Sequence, residues 1–538
     1  IYSDPRDDGY YQGDVYPTGA YRNETGAQRG SVMDMPVHPG DPLTPGYGAT
    51  AGAKRINRSE SDVITKIPVL PVSYGDALPL LRALGGPVAP PDWRGALATT
   101  YHLGPGPARV HMNLQFNWNM VTIRDVIARL AGTDRADEWV IHGNHHDAWV
   151  NGATDPISGL VAELEEARSI GELAKNGWRP RRTMIYAAWD GEEEGLLGST
   201  EWVETHADEL RQHAVVYINS DSNARGFLDA GGSHTLERLV TQVARDVNDP
   251  DKNVSVLQRL SAHELAIATS PEQRKEYRDR ELIRLDALGS GSDYTPFLQH
   301  TGIASLSIGY GGEAGSGSYH SIYDSFDHYT RFIDPTFDYG VTQAKTNGRL
   351  MLRLANADVL PMEFTTFADT LQRYLNELTK LADEMRAQTD ERNRLLREHT
   401  YEIADDPTKP LVPPAAQDPV PFLNFSPLQN AVARLQRDAR DYARATAVIP
   451  ADPARQAQLD HALMHVEQTL LTPQGLPRRP WFRHQIYAPG FYTGYGVKTV
   501  PGVREAIEQR QWTDVPAQMD IVAHVINAYA DEVERATS

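Results

Sequence analysis

The stretch Ile185-Tyr186-Ala187-Ala188-Trp189-Asp190-Gly191-Glu192-Glu193-Glu194-Gly195 constrains this chain more than any other. Its first half is continuously apolar and aromatic, the pattern of a strand buried on both faces, and such strands belong to sheets covered by helices. The run stops at Asp190-Gly191 and delivers three carboxylates at the expected C-terminal end of the strand. In open α/β sheets that edge is where ligands bind. Adjacent carboxylates there can divide labour, one holding a metal and the other moving protons. The competing reading is an acidic first turn of the next helix, where the dipole favours Glu.

The flanking sequence supports a sheet. Residues 139–143, 183–189, 215–219 and 302–309 read as strands, and Ile157–Lys175 reads as a helix with an apolar stripe closed by Gly177. This rhythm, from about residue 120 to 358, predicts an α/β layer sandwich. Residues 1 to about 119 are rich in Gly, Pro, Tyr and Asp, with a strand-like run at 67–72, a helix at 74–84 and alternation over 110–123. They read as a β-rich region with little chemistry of its own. Beyond Leu360-Pro361 the periodicity becomes helical at 367–402, 427–447, 452–471 and 516–537, around a proline-rich extended stretch at 405–421. The 538 residues thus divide into 1–119, 120–358 and a helical bundle over 359–538.

Composition removes several function classes. A net charge of −20 with no basic stripe argues against nucleic acid or anionic membrane as partners. The basic cluster Arg179-Pro180-Arg181-Arg182 reads as a solvated turn. No apolar run is long enough to predict a transmembrane helix. The opening residues, Ile1-Tyr2-Ser3-Asp4-Pro5, do not form a signal peptide and read as the end of a strand, so an upstream part is expected. With no cysteine, any metal must be held by His and carboxylates.

Three predicted strand ends finish in such residues: Gly143-Asn144-His145-His146-Asp147, Asp190-Gly191-Glu192-Glu193 and Asn219-Ser220-Asp221. Parallel strands bring these ends to one sheet edge. Asp155-Pro156 leads into the next helix, and Tyr319-His320 follows the glycine-rich stretch 309–318. Two His and three carboxylates can make five ligands for two Zn²⁺ with one carboxylate bridging, and ligand softness leaves manganese or cobalt open. Taken singly, each His also reads as a surface residue and Asp155 as a helix cap. Spacing alone does not decide between these readings.

The motifs His145-x-Asp147-x-Trp149, Asp155-Pro156, Trp189-Asp190-x-Glu192-Glu193-x-Gly195-Leu196-Leu197-Gly198-Ser199-Thr200-Glu201-Trp202, Tyr217-Ile218-Asn219-x-Asp221 and Tyr319-His320-Ser321 resemble the M28 metallopeptidases. The similarity is to the branch that holds the glutamate carboxypeptidases and the transferrin receptor, and it extends to Gly40–Tyr47, Gly289-Ser290-Gly291-x-Asp293 and Tyr487-Ala488-Pro489. The resemblance implies a protease-associated apical domain, a zinc-exopeptidase α/β/α sandwich and a helical dimerisation domain. It implies two Zn²⁺ on His145, Asp221, Glu193 and His320, bridged by Asp155, with Glu192 as general base and Tyr319 donating to the oxyanion. Asp147 would orient His145, and His146 would be a bystander. A structural Ca²⁺ is implied on Thr44, Tyr47, Glu201 and Glu204.

The departures from the family pattern concern the substrate. Ser31, Ser290, Gly291, Ser292 and Tyr495 fall on substrate-binding positions, but the asparagine and lysine that hold a C-terminal glutamate fall on Ser31 and Gly494. The arginine patch for acidic residues falls on Gly231, Ser307 and Gly309, and a further asparagine on Ser292. Losing these groups removes charge-assisted bonds to carboxylates. The expectation is therefore a dizinc exopeptidase for short peptides with the acidic pocket largely lost, acting as a carboxypeptidase, or else as an aminopeptidase or dipeptidase. A non-catalytic receptor-like protein would have broken ligands, and a structural zinc site would lack a base. The resemblance also implies a homodimer and an extracellular or periplasmic location.

Overall fold

The structure is a computed structural model, described for residues 1–6, 13–31, 33–313, 317–406, 408, 412–448 and 452–537. In the N-terminal region β1 (Gly85–Val88) pairs antiparallel with β2 (His102–Gly104). The central sheet comprises β3 (Val126–Leu130), β4 (Arg135–His145), β5 (Arg182–Trp189), β6 (Ala214–Asn219), β7 (Gly226–Gly232) and β8 (Ser305–Gly312), in the order β3-β5-β4-β6-β8-β7. Strands β5, β4, β6 and β8 run parallel, and the edge strands β3 and β7 run antiparallel to them. A last small antiparallel sheet joins β9 (Tyr487–Pro489) to β10 (Val497–Thr499).

Both faces of the central sheet are covered, as the apolar run at 185–189 requires. Tyr186 of β5 donates to Glu166 of the helix Ile157–Lys175, which packs with the helix Asp338–Asn356. Three residues along, on the other face of the pleat, Trp189 packs against Trp202 and Phe297, and Phe297 stacks on Tyr217 of β6. The result is a mixed α/β core.

Several expected boundaries move for local reasons. Residues 302–304 do not join the last parallel strand, because Gly302 adopts φ +70° to close the preceding turn and β8 starts at Ser305. The alternating stretch 110–123 forms no strand, nor does 67–72. Val110, Phe116, Trp118, Val121 and Ile67 are exposed, and an alternating pattern makes a strand only where a partner satisfies its backbone. Among the described residues, β1 and β2 are the only strands of the region expected to be β-rich. Residues 314–316 of the glycine-rich stretch, and 407 and 409–411 of the proline-rich one, lie outside the described residues.

The C-terminal region is helical, with principal helices Thr365–Arg397, Ser426–Ala445, Pro453–His465 and Val515–Thr537. Leu371, Leu375 and Leu378 of the first meet Leu428 and Val432 of the second and Val522 and Ile526 of the last. That spacing is the one-sided apolar stripe of an amphipathic helix. Arg182 is not part of a solvated turn. It opens β5, is fully buried and pairs with Asp460 of the helix Pro453–His465, beside Arg135 and Glu138. A buried guanidinium needs such partners, so this cluster pins the helical region to the base of the sheet.

Candidate active site

Because β4, β5 and β6 are parallel neighbours, with His145 level with Trp189 and Gly143 level with Asn219, their C-terminal ends lie along one edge. Glu192, Glu193 and Asp221 follow immediately, while Asp155 comes from the loop after β4 and His320 from the loop after β8. His145 Nε2 lies 3.4 Å from Asp221 Oδ1 and 3.4 Å from Asp155 Oδ1. His320 Nε2 lies 3.3 Å from Asp155 Oδ2 and 3.1 Å from Glu193 Oε2. The Asp155 carboxylate therefore turns one oxygen to each imidazole. Potential ligand atoms gather in two groups, His145 with Glu192 and Asp221, and Asp155 with Glu193 and His320, each within 4.8 Å. Glu192 Oε2 is 3.8 Å from His145 Nε2.

The acidic run is not the first turn of a helix. Gly191 takes φ +69°, a conformation that favours glycine, and the helix begins only at Leu197. The turn aims the amides of Glu192 and Glu193 at the two oxygens of Asp147, at 3.0 and 3.1 Å. Asp147 Oδ1 also lies 3.3 Å from His145 Nδ1. One carboxylate thus fixes both the acidic turn and the imidazole, leaving Nε2 to face the cluster. His320 is held in the same way, by the carbonyl of Arg29, 3.0 Å from Nδ1. His146 turns aside to the carbonyl of Arg124, at 3.1 Å.

The cluster is strongly anionic. Burial alone would lower the His145 pKa, but the charges of Glu192 and Asp221 and the bonds to Asp147 and Asp155 hold it well above its usual value. His320, opposed by burial but bonded to Asp155 and Glu193, is raised to about 9. Burial opposes ionisation of Asp155, yet the two imidazoles keep it below the usual carboxylate range. Burial pushes Glu192 well up against the lowering influence of His145. Four carboxylates and two imidazoles on buried backbone form a donor set that attracts positive charge, as protons on the imidazoles or as divalent cations. Asp147→Asn is expected to lower metal affinity about 10–100-fold, measured by competition with a chelator, because His145 and the acidic turn lose their shared anchor.

A cavity of about 350 Å³ opens on this cluster. Ser290, Gly291 and Tyr495 line it, as does Tyr319, whose ring stacks on His320 at 3.6 Å. Ser31 and Ser292, expected as substrate contacts, do not. Ser31 donates to the carbonyl of Glu194, and Ser292 donates to Asp221 Oδ2 at 2.6 Å, bracing the carboxylate from behind. Met35, Asp229, Asp286, Leu288 and Tyr294 are lining residues that the motifs did not reveal; Met35, Asp286 and Leu288 come from two separate loops, Asp229 from an edge strand and Tyr294 from a helical turn, none with a spacing signal.

The sequence matches the peptidase family M28 model over residues 125–334 and the transferrin receptor-like dimerisation domain model over 423–534. It is 32% identical over 531 residues to the probable glutamate carboxypeptidase LAMP1 of Arabidopsis thaliana, covering 98% of this chain and 68% of the relative. This chain belongs to peptidase family M28. It is also 29% identical over 564 residues to the aminopeptidase NAALADL1 of Mus musculus, covering 98% of this chain and 69% of the relative. A zinc aminopeptidase structure from Bacillus subtilis shares 19% identity over 44% of this chain and 50% of that one, with a TM-score of 0.31. The M28 chain spans about two thirds of the length of the curated relatives that it matches.

A second acidic group in the M28 chain joins its N-terminal region to the sheet edge. Glu201 accepts from the amide of Asp41 at 2.6 Å and lies 3.5 Å from the Thr44 hydroxyl. Glu204 Oε1 accepts from Trp481 at 2.7 Å, while its buried Oε2 has no partner. Burial pushes Glu201 up to about 7 and, with the charge of Glu201, Glu204 up to about 8. The side chain of Tyr47 turns away to the carbonyl of Lys54. Among the described residues, no helix is long and apolar enough to cross a membrane.

Proposed function

We propose that this M28 chain is a two-metal exopeptidase hydrolysing short peptides, with Zn²⁺ as its native metal. The observation that carries the reading is Asp155, with one oxygen toward His145 and the other toward His320. His145 and Asp221 would hold one ion, Glu193 and His320 the other, and Asp155 both. The donor set of imidazole and carboxylate, with no thiolate, suits zinc. Bound zinc lowers the pKa of water and polarises a carbonyl.

The chain's own groups supply the rest. Glu192 takes a proton from the attacking water as its oxygen bonds to the scissile carbon, and gives that proton to the amine as the C–N bond breaks. Burial raises its proton affinity and makes it a stronger base than an exposed glutamate. From the cavity lining, the Tyr319 hydroxyl would donate to the developing oxyanion, and desolvation together with the neighbouring negative charges keeps it protonated. Among the described residues, the lining contains no Lys or Arg, which supports loss of the family's pocket for acidic substrates. Profiling dipeptides capped at either end tests the reading, with turnover of neutral sequences expected. Cleavage restricted to N-acylated peptides ending in Glu would overturn the pocket argument.

The paired Glu201 and Glu204, with Thr44, fit a structural Ca²⁺, since a hard divalent ion would relieve two buried carboxylates and occupy the free oxygen of Glu204. Calcium is expected to raise the melting temperature of the wild type and to leave that of Glu204→Gln unmoved; an equal shift in both would remove the site. The helical region supports a homodimer, checked by light scattering, and the N-terminal region belongs to a protease-associated apical domain. An extracellular or periplasmic location fits this reading.

A further inference from the structure

A line of hydrogen bonds runs from the middle of the sheet to one of the proposed metal ligands. The Trp189 indole donates from Nε1 to the Tyr217 hydroxyl at 3.0 Å, and Tyr217 donates to Asn219 Oδ1 at 3.1 Å. Asn219 Nδ2 donates to Ser292 Oγ at 3.0 Å, and Ser292 donates to Asp221 Oδ2 at 2.6 Å. Trp189 closes β5, whereas Tyr217 and Asn219 lie two residues apart on β6 and therefore on one face. The first bond has to cross β4, which lies between those strands. It crosses at Gly143, level with Ala187 and Asn219. A Cβ there would stand 2.6 Å from the indole nitrogen and 2.8 Å from the phenol oxygen, so glycine is what leaves room for the contact.

The two ends fix the direction of every bond between them. An indole N–H only donates, and an ionised carboxylate only accepts. Ser292 has one hydroxyl proton, which Asp221 takes, so its oxygen must accept from Asn219. The amide nitrogen of Asn219 then faces Ser292 and its oxygen faces Tyr217, whose single proton is committed in turn. Trp189, Tyr217, Asn219 and Ser292 are at most 4% exposed, so a group that turned away would be left unpaired in the core, which costs free energy. The Tyr217 ring is also locked, stacked on Phe297 at 3.8 Å. At the far end the two oxygens of Asp221 differ. Oδ2 is held by Ser292, while Oδ1 faces His145 Nε2 at 3.4 Å and accepts from the exposed Ser222 hydroxyl at 3.2 Å.

We infer that Trp189, Tyr217, Asn219 and Ser292 act as one unit of positioning residues that holds Asp221 Oδ2 and presents Oδ1 alone to the ion shared with His145. The inference rests on the two-metal reading above and deepens it, since affinity for one of the two ions then depends on side chains as far off as the aromatic core around Phe297.

The test is stepwise release of Zn²⁺ from the loaded full chain by a competing chelator, with hydrolysis followed in parallel. Two affinities are expected in the wild type, one of them absent in His145→Ala. Ser292→Ala and Tyr217→Phe are each expected to weaken that one by about tenfold or more, the size usual for a partner behind a metal ligand, and to leave the other within about twofold. The double variant is expected to bind the ion no more weakly than the weaker single variant, because either change breaks the same line; independent sites would multiply their effects. Trp189→Phe, which keeps a ring beside Phe297, is a further arm from the opposite end and is expected to weaken the same ion. General loss of packing lowers stability in urea, but it neither singles out one ion nor makes the two substitutions non-additive. Wild-type affinity in Tyr217→Phe, equal weakening of both ions, or multiplied effects in the double variant overturn the relay. A wild-type chain that holds fewer than two Zn²⁺ overturns the two-metal reading itself.

Discussion

Glu192→Gln is expected to lower kcat by about 10²–10⁴-fold while the metal content stays that of the wild type. The carboxylate lies 3.8 Å from His145 Nε2, on the cavity side of a turn whose backbone is fixed by Asp147. Its neighbour Glu193 accepts from the amide of Trp149 at 3.1 Å and faces His320. Their roles differ because the turn sends adjacent side chains to different places. The substitution also separates a base from a ligand, since Glu192 stands in the same acidic group as His145 and Asp221. Unchanged metal content with hydrolysis gone marks a base. Loss of one metal marks a ligand, and persisting turnover removes Glu192 from the chemistry.

Asp460→Ala destabilises the chain by about 3–5 kcal/mol, as removal of one partner from a buried ionic cluster does. Asp460 and Arg182 are both fully buried, and Arg135 is nearly so. Truncation leaves the guanidiniums with Glu138 and the carbonyls of Leu354, Ala357 and Asp358, and it frees the amide of Leu360, which Asp460 also accepts at 2.7 Å. Denaturant unfolding measures the change. By contrast, breaking the exposed Arg168–Glu165 pair shifts stability by about 1 kcal/mol or less. A similarly small effect at Asp460 would show that the helical region is held by apolar contact alone.

What could be read in the sequence follows from how local each signal is. The strand at 185–189 and the helix Ile157–Lys175 were legible because a buried run and an apolar stripe are periodic within a few residues. The strand ends that converge were legible once the strands were taken as parallel, since sheet topology brings distant residues to one edge. The same reasoning failed at 110–123, where alternation exists but no partner strand pairs with it. It also failed at Arg182, whose partner lies 278 residues away. Ser292 was given to substrate when its hydroxyl braces Asp221, because sequence shows a residue's neighbours along the chain and not which side of a carboxylate it occupies. Asp229 and Asp286 carried no motif at all; only the register of β7 against β8 and the bridge between Gly231 and Asp286 bring them into the cavity.

The acidic turn at 190–195 connects the two acidic groups. One carboxylate of the turn faces His145, the next faces His320, and the helix that follows carries Glu201 and Glu204 to the second acidic group. In the proposed enzyme two metal ions lie between His145 and His320 and share Asp155. Elemental analysis of the purified chain after dialysis, alongside its Asp155→Ala variant, tests this most directly. The account predicts two zinc ions per wild-type chain, fewer than one in the variant, and hydrolysis that disappears on chelation and returns with zinc. One ion per chain, or activity that survives chelation, contradicts it.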